Sequence, residues 1–281
     1  MLNISVSGSS FDVNLSESYN LSIQLNLDGL CFSVFDSISN SFLLLESISL
    51  AGRDIHYARH EEIMLTHKIL KARYKKVSVL FNTPKFTLVP ASLYEAKNAE
   101  DLMLFCGRKA EPGDKIISNR MHLGEMVCLC YVPEFLYYFI RSQHENAVIM
   151  HHVVPIIESL VLKREHSKKS DRLMLYFHDD EMTITVSKNG SIELCNTFGY
   201  SNMDDMVYYV LFAIDQLRLD TKQTSFEVFG DIEADDIRFM TLRKYVGDLK
   251  LTDRPVYFNY DFGRVSNQQQ FYNLFNLMLC E

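Results

Sequence analysis

Alternating apolar and polar residues predict a strand near the start of the chain. Residues 21–27 (LSIQLNL) follow the two-residue period of a strand with one buried face. The Asp28-Gly29 pair that follows is a strong hairpin signal. After this turn the pattern predicts strands over 30–36 and 41–50, a helix over about 55–74 and a strand over 77–81.

The same order of elements recurs in the second part of the chain. Its two turns are His178–Glu181 and Asn189-Gly190, and Asn-Gly is among the strongest hairpin signals. Ser201 or Asn202 can cap the helix that follows. The pattern predicts strands over 173–177, 182–186 and 192–198, a helix over 203–219, a strand over 226–229 and a helix over 233–246. Equivalent elements lie about 150 residues apart, so we expect a duplicated fold with two β-β-β-α-β-α halves.

The domain organisation follows from this repeat. We expect a first half over 1–162, which contains a loop-rich insertion near 106–133, and a second half over 172–281. The charged stretch 163–171 between them is typical of a linker. Residues 268–279 are strongly apolar at helical spacing, which predicts a helix packed against the second half. The alternative is a partner-binding stripe.

Composition and charge narrow the class of protein. The chain has 281 residues, 47% of them hydrophobic, and a net charge of −8, which favours a folded two-domain protein and makes nucleic acid an unlikely partner. The first twenty residues show no signal peptide, and no apolar run approaches the roughly 20 residues of a spanning helix. We expect a cytoplasmic protein without a membrane span, whose six cysteines are reduced thiols.

The sequence contains no established catalytic or metal-binding motif. The nucleophile-elbow, phosphate-loop and dinucleotide-binding glycine patterns are absent, so we expect no catalytic residue and favour a protein that is not an enzyme. His56 and His60 have helical i, i+4 spacing without the rest of a zinc motif. His151 and His152 are expected on opposite faces of a strand, where they cannot share a metal. The basic run Lys68–Lys76 is typical of a helix end, and an RNA contact is the alternative.

Two segments resemble a known family. Leu21–Asp36 (LSIQLNLDGLCFSVFD) and Phe86–Pro90 (FTLVP) are similar to a family of uncharacterised bacterial proteins, and distantly to actin-like proteins such as PilM and FtsA. The resemblance implies an actin-like, ribonuclease H-like α/β fold whose two halves face a cleft. In actin-like ATPases, two hairpins in that cleft, each with an Asp followed by glycines, hold the nucleotide phosphates.

The resemblance makes Asp28, Gly29, Asp179, Asp180 and Gly230 the candidate cleft residues. The second hairpin has three adjacent carboxylates, Asp179–Glu181, and no glycine. Two like unit charges 4 Å apart repel by about 4 kcal/mol at an effective dielectric constant near 20. We therefore expect a degenerate nucleotide cleft without a cofactor, although ATP with magnesium stays open. Simple hairpin turns would also explain these residues.

These observations favour a non-catalytic actin-like binding or scaffold protein, a pseudo-ATPase that has a protein partner. The first alternative is a divergent ATP-binding protein or ATPase of the same fold. The second is an accessory protein that docks on RNA or on an RNA-associated enzyme. The sequence specifies neither the partner nor the oligomeric state.

Overall fold

A computed structural model describes residues 3–54, 56–123, 125–165 and 171–280. The first half begins with a short strand and a 3-10 turn, followed by three strands that form consecutive hairpins. Its elements are β1 (Ile4–Ser7), β2 (Asn20–Asn26), β3 (Gly29–Asp36), β4 (Ser41–Ser49), α1 (Ala58–Thr66), β5 (Lys76–Phe81), β6 (Phe86–Pro90), α2 (Ala99–Phe105), β7 (Asp114–Arg120), β8 (Met126–Pro133), α3 (Glu134–Gln143), β9 (Val148–His151) and α4 (Val153–Glu165).

The second half repeats the hairpin plan and ends in a largely buried helical segment. Its elements are β10 (Arg172–His178), β11 (Glu181–Lys188), β12 (Ser191–Gly199), α5 (Met203–Gln216), β13 (Ser225–Gly230), α6 (Ile237–Tyr245), β14 (Leu249–Leu251), β15 (Asn259–Tyr260) and α7 (Tyr272–Asn276), which lies between the 3-10 turns Gln268–Phe271 and Leu277–Cys280.

Both halves have the same sheet topology. The first sheet contains the order β4-β3-β2-β5-β9, and the second has the order β12-β11-β10-β13-β14. In the first sheet, β2, β3 and β4 pair antiparallel in succession, and β2 pairs parallel with β5. In the second sheet, β10, β11 and β12 pair antiparallel in succession, and β10 pairs parallel with β13. Five strands of matching order and direction confirm the predicted duplication.

The predicted hairpins form, and the first of them is displaced by one residue from the predicted Asp28-Gly29 turn. Asn189 and Gly190 both have positive φ, 50° and 86°, and they connect the paired residues Lys188 and Ser191. This backbone is the type I′ turn that Asn-Gly favours. In the first half the two-residue loop is Leu27-Asp28, and Gly29 is already the first residue of β3.

The insertion in the first half is a small sheet of its own. β6, β8 and β7 pair antiparallel in that order, and β7 and β8 have seven and eight residues where the sequence suggested loops around short strands. The apolar residues that α2 and these strands bury together are Val89, Met103, Val127, Leu129 and Tyr131. Apolar side chains of β6, β8 and α2 thus form a separate small core.

Several helices are shorter than their sequence patterns. The helix predicted over 55–74 is confined to Ala58–Thr66, because His67 adopts an extended conformation and its ring packs 5.2 Å from that of Phe32. The basic run Lys68–Lys76 therefore lies beyond the helix instead of at its last turn. Within the described ranges, no helix is both long and apolar enough to cross a bilayer.

The last helix of each half packs against residues of the other half. Phe271, Leu274 and Phe275 lie in the hydrophobic core of the first half, while Tyr272 packs on Phe229 of the second sheet, so the segment contacts both halves and not the second alone as predicted. Conversely, Ile156 and Leu160 of α4 pack among residues of the second sheet. Each half thus donates a helix to the other, which interlocks them. The predicted linker falls partly outside the described residues, since 166–170 are not among them.

Candidate functional site

The candidate site lies where the carboxyl ends of strands from both halves meet. Two two-residue hairpins approach each other there, Leu27-Asp28 between β2 and β3 and Asp179-Asp180 between β10 and β11. In sheets with parallel strands, ligands bind at these strand ends. A single cavity between the hairpins is lined by Asp28, Asp179 and Gly230 together.

The remaining two candidate residues lie next to this cavity. Asp180 lines a neighbouring depression of about 280 Å³, which shares Asn26, His178 and Asp179 with the first. Gly29 lies within the sheet, at the start of β3, and is buried. The structure therefore gathers four of the five candidates around one cleft.

The cavity between the hairpins is small. Its volume is about 50 Å³, whereas pockets for small organic ligands usually enclose about 300–1,000 Å³. Phe177, Phe271 and the buried Tyr176 occupy much of its wall. The cavity alone holds a few water molecules, and a ligand as large as a nucleotide would also have to occupy the neighbouring depression of about 280 Å³.

An ion pair joins the two hairpin regions across the cleft. Arg53 Nη1 donates to Asp180 Oδ2 at 2.6 Å, and the side chains are 48% and 74% exposed. Arg53 is held there because its loop is hydrogen-bonded to the first hairpin, through Leu50 N to Asp28 O and Asp54 N to Leu27 O. An exposed pair of this kind contributes at most about 1 kcal/mol, but it closes the side of the cleft where Arg53 lies.

Acidic groups dominate the electrostatics of the cleft. Burial raises the pKa of Asp179 to about 6; Arg53 opposes this rise, and Asp28, Asp180 and Asp231 add to it. The pKa of Glu181 is also raised, by burial and by the charges of Asp179 and Asp180. A polyphosphate would meet this concentration of negative charge without glycine backbone donors.

The glycines near the cleft have structural explanations. Gly230 has a φ of +95°, and a Cβ atom there would overlap the carbonyl oxygen of Phe177. A Cβ atom at Gly29 would likewise overlap the carbonyl oxygen of Ile48. Both positions need glycine because strands approach closely, whatever the cleft binds.

Three buried histidines lie below the cleft. His151 ends β9 and His152 follows it in a turn, so their rings lie 4.3 Å apart and not on opposite faces as predicted. His178 is 4.9 Å from His152 between ring centroids. Burial lowers the pKa of His151 to about 3 and that of His178 to about 4, and it also lowers the pKa of His152. Neutral imidazoles therefore form the base of the site at neutral pH.

A polar network that the sequence analysis missed connects the halves. Gln24 Nε2 donates to Asn26 Oδ1 at 3.0 Å and reaches Tyr176 Oη at 3.3 Å, and Asn82 Nδ2 donates to Asn26 Oδ1 at 3.1 Å. Gln24 and Asn26 alternate with apolar residues on a strand buried on both faces, and Asn82 directly follows β5. Polar residues at the carboxyl ends of two buried strands were the sequence signal that could have indicated this network.

His60 supports the first hairpin. Its Nε2 lies 2.7 Å from Asn26 O and 3.1 Å from Gly29 O, and the side chain is fully buried. Among the described residues, no group of three or more His, Cys, Asp or Glu side chains is placed to hold a metal ion. His60 thus has a structural explanation, because its ring contacts the backbone of the first hairpin, and no metal is needed to explain its spacing from His56.

The family is now identifiable. Residues 8–249 match the model of a family described as protein of unknown function (DUF3822). The chain belongs to this family. None of the curated proteins is similar to it.

Solved structures show the fold. A protein from Bacteroides thetaiotaomicron with an actin-like ATPase fold and unknown function is 21% identical, with a TM-score of 0.79; the match covers 97% of this chain and 100% of that one. A PilM–PilN complex of type IV pilus biogenesis matches at 10% identity and TM-score 0.62, covering 93% and 98%. The ethanolamine utilization protein EutJ from Carboxydothermus hydrogenoformans matches at 10% identity and TM-score 0.51, covering 94% and 90%.

These likenesses confirm the actin-like fold predicted from the sequence. The fold is of the nucleotide-binding type, and at these identities it does not specify what the cleft binds. The chemistry must be argued from the cleft itself.

Proposed function

We propose that this protein is a non-catalytic, actin-like binding or scaffold protein whose nucleotide cleft is degenerate. The observation that carries the proposal is the cleft between the two hairpins. Arg53 and Asp180 cross its side, and Asp179 and Asp28 face a cavity of about 50 Å³. A nucleotide would have to break that pair, displace aromatic side chains and overcome like charge, while gaining no glycine-rich loop.

The function of such a protein is to bind another protein. The PilM structure was solved in complex with PilN, so a protein of this fold does take a protein partner. Side chains of both halves pack in one buried cluster, which joins the halves into a single framework for that role. The proposal keeps the cytoplasmic location that the sequence favours.

Binding of Mg-ATP is the decisive test. We expect no heat of binding by isothermal titration calorimetry and no rise in melting temperature at millimolar Mg-ATP. A ligand present at 100 times its dissociation constant stabilises the native state by about 2.7 kcal/mol, which a melting curve detects readily.

Arg53→Ala is the informative companion variant. It removes the pair across the cleft at little cost in stability, because both side chains are largely exposed. If either the wild type or this variant binds or hydrolyses ATP, the cleft is functional and the divergent-ATPase hypothesis replaces the proposal. The hypothesis of RNA docking stays a prediction from the basic residues.

A further inference from the structure

We propose that the outer edge of β12 docks an extended peptide segment of a partner protein, which adds one strand to the second sheet. This inference rests on the proposed function, because it locates the partner of a binding protein. The occupant is an extended segment that carries a carboxylate side chain and alternating apolar residues.

The internal duplication shows that this edge accepts a strand in the other half. β4 is the equivalent of β12, and its outer edge pairs with β1 from Ile4↔Ser47 to Ser7↔Leu44. The start of β4 also pairs with β15. By contrast, β12 pairs only with β11 throughout the part of the chain that the structure describes.

An uncovered strand of this kind is an available template. An edge strand presents unpaired backbone N–H and C=O groups, and proteins normally shorten, charge or cover it. β12 has nine residues, Ser191–Gly199, and Glu193 is its only charged residue. It is also half-exposed along most of its length, whereas β4 is mostly buried.

A groove of about 350 Å³ runs along this edge. Five consecutive residues of β12, Ile192–Asn196, line one wall. Phe86, Thr87 and Leu88 of β6 line the other, and β6 is itself the edge strand of the small sheet. An extended segment that paired with β12 would lie along this groove with β6 on its other side, as in β-augmentation.

Arg108 determines the charge of the expected peptide. Its Nε donates to Phe86 O at 3.1 Å and its Nη2 to Asn196 Oδ1 at 3.0 Å, so it spans the groove from wall to wall. Both acceptors are neutral, and no carboxylate among the described residues forms an ion pair with it. An Asp or Glu side chain on the peptide would supply the missing charge-assisted contact.

Peptide selection on the intact protein tests the proposal. The probe is a phage-displayed library of random dodecapeptides, selected against the full chain. We expect the enriched sequences to be free of internal proline, to alternate apolar and polar residues, and to share an acidic position. Hydrogen exchange of the complex should slow the amides of Ile192–Thr197.

Charge variants then locate the contact. Arg108→Glu should weaken binding of the selected peptide about tenfold or more, and Arg108→Lys should retain most of it. Arg120→Glu is the matched control, because Arg120 is an exposed cation on β7, the opposite edge strand of the same small sheet. Melting curves of all three variants identify any loss of folding, and Arg108→Gln replaces the Glu variant if that one unfolds.

Two results would overturn the inference. One is failure of the library to enrich any peptide that protects β12. The other is equal binding by wild type, Arg108→Glu and Arg108→Gln. Mg-ATP titration of the same wild-type sample keeps the two proposals separate. ATP binding would contradict the proposed function and would not affect the peptide result at β12. Failure to select a peptide that protects β12 would contradict this inference and would not affect the ATP result.

Discussion

The two halves share one sheet topology and differ in how that sheet is completed. In the first half the edge strand β4 is covered by β1 and β15, whereas β12 has no such cover among the described residues. The interiors differ as well. Ser78, the third residue of β5, is matched by Glu227, the third residue of β13.

Glu227 gives the second half an ionic interior. It accepts from Lys163 of α4, from Arg172 Nη1 at 2.8 Å, and from Thr252 Oγ1 at 3.3 Å. Burial alone would raise the pKa of Glu227, but these partners outweigh burial and lower it. Because Lys163 comes from the first half, this cluster also links the halves. A duplicated backbone plan therefore tolerates very different interiors.

The largest expected effect comes from breaking this cluster. Glu227→Leu leaves Lys163 and Arg172 without their common acceptor, so we expect a loss of about 3–5 kcal/mol in the free energy of unfolding. Urea denaturation measures it. Ser78→Ala, at the equivalent position of the first half, should change stability by less than about 1 kcal/mol. Equal losses in both variants would mean that the two interiors do not differ as described.

A second test asks why glycine is retained beside the cleft. Gly230→Ala should cost about 3 kcal/mol, because the new methyl group meets the carbonyl oxygen of Phe177 at a positive φ. Gly52 is the matched control, since it has the same φ of +95° with no heavy atom within 4 Å, and Gly52→Ala should cost about 1 kcal/mol. Thermal and urea unfolding give both values. Similar costs would remove the close strand approach as the reason for Gly230.

The smallest expected effect concerns the second hairpin and depends on pH. The pKa of Asp179 is raised to about 6, so the native state binds the proton more tightly than the unfolded chain does. The ionised Asp179 therefore destabilises the folded protein fully above about pH 6, and this destabilisation is absent below about pH 4, where the group is protonated in both states. A rise of about 2 in the pKa corresponds to about 3 kcal/mol, but Asp179 is partly exposed and solvent screens its charge, so Asp179→Asn should stabilise the protein by about 1 kcal/mol at about pH 7.5, and the gain should vanish near pH 4. Asparagine also tolerates the φ of 48° at this position.

Asp180→Asn should change stability in the opposite direction to Asp179→Asn. The hydrogen bond from Arg53 lowers the pKa of Asp180, and this variant loses that bond. It should be neutral or slightly destabilising at about pH 7.5, as exposed pairs contribute little. Melting temperatures across the pH range compare the two variants. If Asp179→Asn gave no gain above pH 6, burial and the neighbouring negative charges would not destabilise the Asp179 carboxylate, and the described electrostatics of the cleft would be wrong.

Much of the fold follows from local sequence patterns. Alternating apolar residues and the Asn189-Gly190 turn predicted the hairpins, and the matched spacing of elements predicted the duplication. The pattern failed where long-range packing decides, as in the helix that ends at Thr66 because His67 packs on Phe32. It also missed that the C-terminal segment packs on the first half as well as the second, since the apolar stripe of Phe271 and Phe275 does not specify which half it contacts.

The sequence by itself therefore determined where the hairpins of both halves lie, to within about a residue, and the loss of glycine from the second hairpin. These features depend on side-chain period and backbone conformation, which neighbouring residues control. Only the tertiary structure decided that Arg53 crosses to Asp180, that Gln24 meets Tyr176, and that β12 is left uncovered while β4 is paired. The two side-chain contacts join residues 127 and 152 positions apart, and no local pattern records which distant partner a buried side chain, a charged side chain or a strand edge will meet.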